Sequence, residues 1–135
     1  MKSLFLTGDS GFVGSNLIKL FYSIYEIIIF KRGALIKVDQ DVVIHLAGKA
    51  HDLKNVSSFD EYYKVNTELT KEIFDAFLIS EAKVFITLSS VKAVADEVDG
   101  ELTEDVTPNP ITHYGKSKLL AEQYILSQPI PDGKR

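Results

Sequence analysis

Two side chains in the last part of the chain are spaced for proton-transfer chemistry. Tyr114 and Lys118 stand four positions apart, and on a helix this spacing places them on one face, one turn from each other. A free tyrosine ionises at about pH 10, so lowering its pKa by roughly 3 units takes about 4 kcal/mol of phenolate stabilisation. A lysine ammonium in a desolvated site supplies part of it. The pair indicates a tyrosine acid/base, although exposed pairs with this spacing occur on ordinary helices too.

A pair of hydroxyl groups closes an apolar run before this helix. Ser89 and Ser90 directly follow Lys83-Val-Phe-Ile-Thr-Leu88, whose length and composition predict a buried strand. A serine hydroxyl can hydrogen-bond a substrate oxygen that exchanges a proton with a neighbouring acid/base. The position of the pair at a strand end is compatible with that role.

Three glycines near the N-terminus are spaced for phosphate binding. They follow the apolar run Leu4-Phe-Leu-Thr7 and open a stretch with helical apolar spacing. The first glycine allows a tight turn, the second lets the backbone approach a pyrophosphate, and the third lets the helix pack closely on the sheet. The helix N-terminus adds free N–H groups and the positive end of its dipole. The strand-turn-helix order predicts a dinucleotide site at Gly8, Ser10, Gly11, Phe12, Val13 and Gly14.

The elements that must position these residues alternate between strand and helix. Short apolar runs predict strands at Leu4–Thr7, Ile27–Phe30, Ala34–Val38, Val42–Ala47 and Lys83–Leu88. Apolar residues at helical spacing predict helices at Phe12–Tyr22, Val65–Leu78 and Tyr114–Leu126. This order is typical of the α/β class, and we expect a Rossmann-type doubly wound parallel sheet of about five strands. Ligands bind at the carboxyl ends of such strands, where the glycines and serines stand.

Length and composition restrict the class of protein. The 135 residues have room for one domain of ordinary size, and we expect residues 1–135 to form it. A net charge of -4 and the lack of a basic tract argue against a nucleic-acid partner. The longest apolar run, Ile27–Phe30, is far below the roughly 20 residues that cross a bilayer. We therefore expect no membrane partner and a cytoplasmic location.

The three histidines do not indicate a metal site. His45 stands within an apolar strand, which is typical of a packed core histidine. Neither His51 nor His113 has partners at the spacing of metal ligands. We therefore expect no metal.

Five motifs in one order resemble the extended short-chain dehydrogenase/reductase family, which includes the NAD-dependent epimerases and dehydratases of nucleotide sugars. The glycine turn is the first motif, with the spacing Gly-x-x-Gly-x-x-Gly. The others are His45-Leu-Ala-Gly48, Val65-Asn66-Thr67, Leu88-Ser-Ser-Val-Lys92 and Tyr114-Gly-Lys-Ser-Lys118. The likeness runs nearly from end to end of the chain.

The resemblance implies roles for the catalytic candidates. It implies that Ser90, the second serine of the pair, hydrogen-bonds the substrate oxygen. Ser89 is the alternative candidate for this role. The resemblance makes Tyr114 the acid/base and gives Lys118 a hydrogen bond to the nicotinamide ribose. The positive charge of an oxidised nicotinamide would join Lys118 in lowering the pKa of Tyr114.

The resemblance also extends the cofactor site beyond the glycine turn. The backbone of Leu46, Ala47 and Gly48 is implied to line it, and Tyr114 and Lys118 belong to it as well. Asn66 fits either an ordinary polar residue near a helix start or the active-site asparagine of the family. The resemblance favours the second.

The end of the second predicted strand leaves the cofactor open between NAD and NADP. The family resemblance implies NAD, whose enzymes usually present an acidic side chain there to the ribose 2′-OH. This chain instead has Lys31 and Arg32, which suit the 2′-phosphate of NADP but also fit an ordinary charged strand exit. Only residues 33–40 separate Arg32 from Asp41, so we expect the usual helix here to be absent and one edge of the adenine pocket to be shortened.

Within the family, the motifs favour an oxidoreductase that resembles the nucleotide-sugar 4-epimerases, a class of isomerase. Val91 and Lys92 stand where the sugar 4,6-dehydratases carry Asp-Glu, so the acid/base pair for water elimination is missing. Two alternatives stay open. One is a non-catalytic dinucleotide-binding module or remnant, and the other is an NADP-dependent carbonyl reductase.

The resemblance also sets an expectation for the C-terminal end. Family members continue after the Tyr-x-x-x-Lys helix with a further strand and a substrate domain, whereas this chain ends at Arg135. We therefore expect the chain to lack the C-terminal substrate domain and to be inactive in isolation. The nucleotide sugar would bind to the complete enzyme, and a homodimer is compatible with the family.

Overall fold

A computed structural model describes residues 2–50 and 58–135, so His51 lies outside the described residues. Four strands form one parallel sheet: β1 (Ser3–Thr7), β2 (Glu26–Ile29), β3 (Val42–His45) and β4 (Val84–Thr87). Their order across the sheet is β2-β1-β3-β4. The expected Rossmann-like α/β fold is therefore confirmed.

The predicted strand at Ala34–Val38 is wrong, and the sheet of the described residues has four strands rather than five. A turn closed by a hydrogen bond from Ala34 N to Lys31 O leads into an irregular segment. Both edges of β1 are already paired, with β2 and with β3, so the segment has no free edge in the sheet centre. Leu35 is 88% exposed, and only Val38 of this run is buried.

The helices are α1 (Phe12–Phe21), α2 (Phe59–Tyr62), α3 (Leu69–Ile79) and α4 (His113–Ser127). A π-helical segment, Tyr63–Glu68, joins α2 directly to α3, so the predicted helix at Val65–Leu78 begins inside it. A short 3-10 turn, Val91–Ala93, follows the two serines. Among the described residues, no helix is both long and apolar enough to cross a membrane.

The described residues divide into two compact units. The sheet unit contains the residues up to Ala47, with Glu72–Leu88 and Pro129–Arg135. The helical unit contains the described part of Gly48–Lys71, with Ser89–Gln128.

Both faces of the sheet are covered within the sheet unit, as a doubly wound fold requires. On one face, Leu4, Leu6 and Ile44 form an apolar cluster with Leu17 and Ile18 of α1. On the other face, the ring of Phe85 lies 4.9 Å from that of Phe74 and 5.4 Å from that of Phe77. Because side chains alternate along a strand, neighbouring residues of one strand serve opposite faces.

The C-terminal residues are anchored to the end of α3 and to the edge of β4. Lys134 Nζ donates hydrogen bonds to the carbonyl oxygens of Phe77, Ser80 and Ala82 at 2.9, 2.7 and 2.6 Å. Arg135 exchanges backbone hydrogen bonds with Lys83 and Phe85. One ammonium group thus donates to three carbonyl oxygens in the last turn of α3 and in the residues just after it.

Replacing Lys134 with methionine should lower the free energy of unfolding by about 2 kcal/mol, because the three carbonyls lose a charged donor. Urea denaturation measures this change. Lys83→Met is the matched control, since Lys83 is an exposed lysine, and it should change stability by no more than about 0.5 kcal/mol. Equal losses in both variants would contradict the anchoring role of Lys134.

Candidate functional site

The glycine turn lies in the sheet unit between the end of β1 and the start of α1. Gly8 has φ +78°, and a Cβ there would stand 2.5 Å from the backbone of Leu46 and Ala47. A Cβ on Gly14 would stand 2.1 Å from Gly8 O. Both glycines are therefore required by the fold itself, because their backbones touch other backbone atoms.

Gly11 differs from the other two glycines of the turn. It has φ -75° and ψ 170°, which any residue adopts, and it directly precedes α1. A Cβ at this position would meet a single described atom within 4 Å, Gly8 O at 3.5 Å, which is an ordinary contact. The fold therefore does not require a glycine here. The open space above Gly11 is available to a ligand.

The first turn of α1 faces this open space with polar backbone groups. Gly11, Ser10, Phe12 and Val13 are all exposed. No side chain caps the helix N-terminus, and the first turn carries no acidic residue. Free N–H groups and the positive end of the dipole are features that bind anions.

A buried pair fixes the carboxyl ends of β1 and β3 beside the turn. Thr7 Oγ1 lies 2.7 Å from His45 Nδ1, and the same hydroxyl oxygen accepts a hydrogen bond from Ala47 N at 3.0 Å. His45 is 2% exposed, which confirms it as a packed core histidine. The structure thus brings Leu46 and Ala47 against the glycine turn within one unit.

Lys31 and Arg32, the two basic residues after β2, differ in their contacts. Lys31 Nζ lies 2.8 Å from a carboxylate oxygen of Asp9, a residue of the glycine turn. This hydrogen bond from Lys31 lowers the pKa of Asp9. Arg32 is exposed and makes no ion pair with any described residue. Asp9 was missed by the sequence analysis; the signal that points to it is an acid inside the turn opposite a basic strand exit.

In the helical unit, Tyr114 and Lys118 stand on the first turns of α4, whose start is strongly fixed. Thr112 Oγ1 accepts a hydrogen bond from Gly115 N, which caps the helix. Asp96 accepts hydrogen bonds from the backbone N–H of Thr112 and from its hydroxyl group, at 3.0 and 2.7 Å. A Cβ on Gly115 would lie 2.2 Å from Lys92 O, so α4 touches the backbone of the 3-10 turn.

The acid/base candidates themselves are partly exposed. The ring of Tyr114 packs edge-on against that of Tyr62, with centroids 6.3 Å apart. Burial lowers the pKa of Lys118, and the charge of Glu122 acts in the opposite direction. A partly desolvated ammonium interacts more strongly with a neighbouring anion than one in water does. Tyr114 and Lys118 thus share one face of α4, with Lys118 partly desolvated.

Asn66 connects two parts of the helical unit. It is 1% exposed, and its Oδ1 accepts a hydrogen bond from Lys49 N at 2.7 Å. Its Nδ2 donates to Lys49 O and to Ser117 Oγ, both at 3.0 Å. Ser117 in turn donates to Tyr114 O at 2.8 Å. The side chain of Asn66 therefore holds the segment around Lys49 to the helix of Tyr114.

Gly48 lies against the same group of residues. A Cβ there would stand 3.3 Å from Asn66 Oδ1 and 3.9 Å from Lys118 Nζ. Gly48 is therefore close to both Asn66 and Lys118. Ser117 was missed by the sequence analysis because nothing in a Tyr-x-x-x-Lys spacing identifies a buried hydroxyl inside it.

The two serines make different hydrogen bonds. The hydroxyl of Ser89 donates to the carboxylate of Glu122. Ser90 precedes the 3-10 turn, and its Oγ accepts from Lys92 N at 3.2 Å. Ser90 donates no hydrogen bond to another described residue, so its proton is available to a further acceptor.

Among the described residues, no group of three or more His, Asp or Glu side chains could hold a metal ion.

Two further side chains of the helical unit have identified partners. Lys49 Nζ forms an ion pair with a carboxylate oxygen of Glu61 at 3.0 Å. His113 stacks on Phe59 and lies 3.0 Å from the hydroxyl oxygen of Tyr63.

Comparison with known proteins gives consistent matches. The model of the NAD dependent epimerase/dehydratase family matches residues 4–128. A UDP-glucose 4-epimerase of Vibrio cholerae is 32% identical over 93% of this chain and 47% of its own. A decarboxylating sterol-4-alpha-carboxylate 3-dehydrogenase of Dictyostelium discoideum is 31% identical over 94% of this chain and 48% of its own.

Among solved structures, MoeE5 in complex with UDP-glucose and NAD has a TM-score of 0.78 at 26% identity. The match covers 93% of this chain and 48% of MoeE5. The chain therefore spans about half the length of the proteins that it matches.

The different roles of the glycines predict different effects on stability. Gly14→Ala should lower the free energy of unfolding by about 2–3 kcal/mol, because its Cβ overlaps Gly8 O. This cost outweighs the roughly 1 kcal/mol by which alanine favours a helix over glycine. Gly11→Ala is the matched variant and should change stability by less than about 1 kcal/mol. Chemical denaturation of both measures the difference, and equal effects would contradict the assignment of Gly11.

Proposed function

Since the chain belongs to the NAD dependent epimerase/dehydratase family, we propose that it is the dinucleotide-binding part of an oxidoreductase that resembles the nucleotide-sugar 4-epimerases. The observation that carries this proposal is Gly11, a glycine that the fold does not require and that stands under open space at a helix N-terminus. A pyrophosphate approaching that backbone would be excluded by a side chain at this position.

Each of the two units contains residues that would hold one part of a dinucleotide. In the sheet unit, the glycine turn and the exposed first turn of α1 would hold the pyrophosphate through backbone N–H groups. The backbone of Leu46 and Ala47 would line the same site. In the helical unit, Lys118 would hydrogen-bond the nicotinamide ribose, and Gly48 lies next to both Lys118 and Asn66. A bound nicotinamide would supply hydride transfer to and from the sugar carbon.

The chain's own residues would move the proton. Tyr114 would take the proton of a sugar hydroxyl, while the ammonium of Lys118, one helical turn away, stabilises the phenolate. Ser90 would hydrogen-bond the same sugar oxygen. Its unused proton supports this role over Ser89, whose hydroxyl is held by Glu122. In an epimerisation, Tyr114 would return the proton when the sugar is reduced on its opposite face.

A non-catalytic dinucleotide-binding module is the second candidate, and one observation favours it. Residues 33–40 contain no helix, so the adenine edge of the sheet unit is short. The third alternative, an NADP-dependent carbonyl reductase, rests on the basic pair, and the engagement of Lys31 by Asp9 reduces its support.

Gly11→Val should abolish dinucleotide binding while the chain stays folded. The backbone conformation at Gly11 is allowed for valine, but its methyl groups occupy the space of the pyrophosphate. Loss of two charge-assisted hydrogen bonds, at roughly 1.5 kcal/mol or more each, raises the Kd by about a hundredfold or more. Calorimetry with NAD at fixed salt measures the loss, and circular dichroism checks the fold. Equal affinity in wild type and variant would contradict the proposed site.

The 135-residue chain alone should bind NAD but show no measurable epimerisation of UDP-hexoses. Holding the sugar against the nicotinamide is worth roughly 7–11 kcal/mol of barrier lowering, and relatives are about twice as long. Joining the chain to the C-terminal half of a relative should restore turnover, and Tyr114→Phe should remove it again. Turnover by the 135 residues alone, lost in Tyr114→Phe, would show that they form a complete enzyme.

A further inference from the structure

We propose that Asp9 selects NAD over NADP by holding Lys31 and by placing a carboxylate near the ribose 2′ position. The inference rests on the proposed function, because it concerns the adenine side of the same dinucleotide site. It assigns a specificity role to a residue outside the glycines of the turn.

The geometry follows from the pairing of the first two strands. β1 and β2 are parallel, with Leu6 in register with Ile29, so both strands end at the same edge of the sheet. Asp9 comes two residues after the end of β1, and Lys31 comes two residues after the end of β2. Their side chains meet at 2.8 Å across this edge. The adenine ribose of a dinucleotide lies at the end of the second strand in this class of sheet.

The Asp9–Lys31 pair makes a 2′-phosphate unfavourable in two ways. The hydrogen bond and ion pair with Asp9 offset part of the positive charge that Lys31 would otherwise present to a phosphate. The side chain of Asp9 is 24% exposed, and its negative charge would repel the phosphate. The lowered pKa of Asp9 keeps this charge in place at neutral pH. The 2′-hydroxyl of NAD carries no charge and is subject to neither effect.

The chain has no acidic residue directly after β2, but the Asp9–Lys31 pair places a carboxylate at the sheet edge where β2 ends. The residues after β2 are Phe30, Lys31 and Arg32, none of them acidic. The acid comes instead from the neighbouring turn, and it neutralises the first of the two basic residues. Arg32 stays exposed, so NADP binding is disfavoured rather than abolished.

Calorimetry with NAD and with NADP on four proteins tests this inference: wild type, Asp9→Asn, Lys31→Ala and the double variant. Asp9→Asn keeps the shape of the side chain and should tighten NADP binding by about two- to fivefold, the range for exposed ion pairs. NAD affinity should change by less than about twofold, because the 2′-hydroxyl of NAD carries no charge that Asp9 could repel. Lys31→Ala alone should not tighten NADP binding, because the charge of Asp9 then faces the phosphate without its partner, and it should cancel most of the gain in the double variant.

Asp39→Asn is the matched control. It breaks the ion pair between Asp39 and Lys37, which spans 2.6 Å and lies in the segment between β2 and β3. The ratio of NAD to NADP affinity should stay at the wild-type value. The gain in Asp9→Asn should also shrink as ionic strength rises, because exposed charges are screened.

Three outcomes would overturn the inference. An unchanged affinity ratio in Asp9→Asn, with NAD still bound, would reject the role of Asp9 and leave the proposed function intact. A gain in NADP affinity that is as large in the double variant as in Asp9→Asn would reject the claim that Asp9 acts by holding Lys31. Failure of the wild-type chain to bind either dinucleotide would overturn the proposed function together with this inference.

Discussion

The contact between the backbone of Gly8 and the backbone of Leu46 and Ala47 is the constraint on which the sheet unit depends. β1 and β3 are neighbours in register, so the turn after β1 must pass directly over the end of β3. A Cβ at Gly8 would overlap that backbone. The hydroxyl of Thr7 completes the contact by accepting from Ala47 N. Because the turn is held this close, α1 begins with its N-terminus at the carboxyl edge of the sheet.

The helical unit depends on a polar network in addition to the backbone contact between Gly115 and Lys92. The amide of Asn66 uses its oxygen and its nitrogen on Lys49 and Ser117, and Thr67 donates to Ser117 O. No buried side-chain nitrogen or oxygen among the described residues lacks a hydrogen-bond partner. Satisfied networks of this kind specify one arrangement, since a partial one leaves costly unpaired groups. The position of Tyr114 and Lys118 on α4 is thus fixed from inside the unit.

Much of this architecture could be predicted because local signals and tertiary structure agree. The four strands that form have apolar runs, and Gly8 and Gly14 stand where backbone contacts require them. The run Ala34–Val38 has the composition of a strand, but it follows a turn, is mostly exposed and does not pair with the outer edge of β2. Composition carries no information about whether a run pairs. Asp9 and Ser117 were missed for a related reason. Asp9 pairs with Lys31, which is distant in sequence. Ser117 lies inside the Tyr-x-x-x-Lys motif and pairs with the distant Asn66. Neither contact can be read from the sequence alone.

The π-helical segment Tyr63–Glu68 has a consequence for chain length. A π turn holds one residue more than an α turn, and one residue of an α-helix corresponds to about 100° of rotation. Deleting a single residue there would restore a uniform helix and turn the side chains of α2 to another side relative to Asn66. Insertions and deletions are therefore tolerated poorly between Tyr62 and Leu69. Length variation among related chains should accumulate in irregular segments such as residues 96–110 instead.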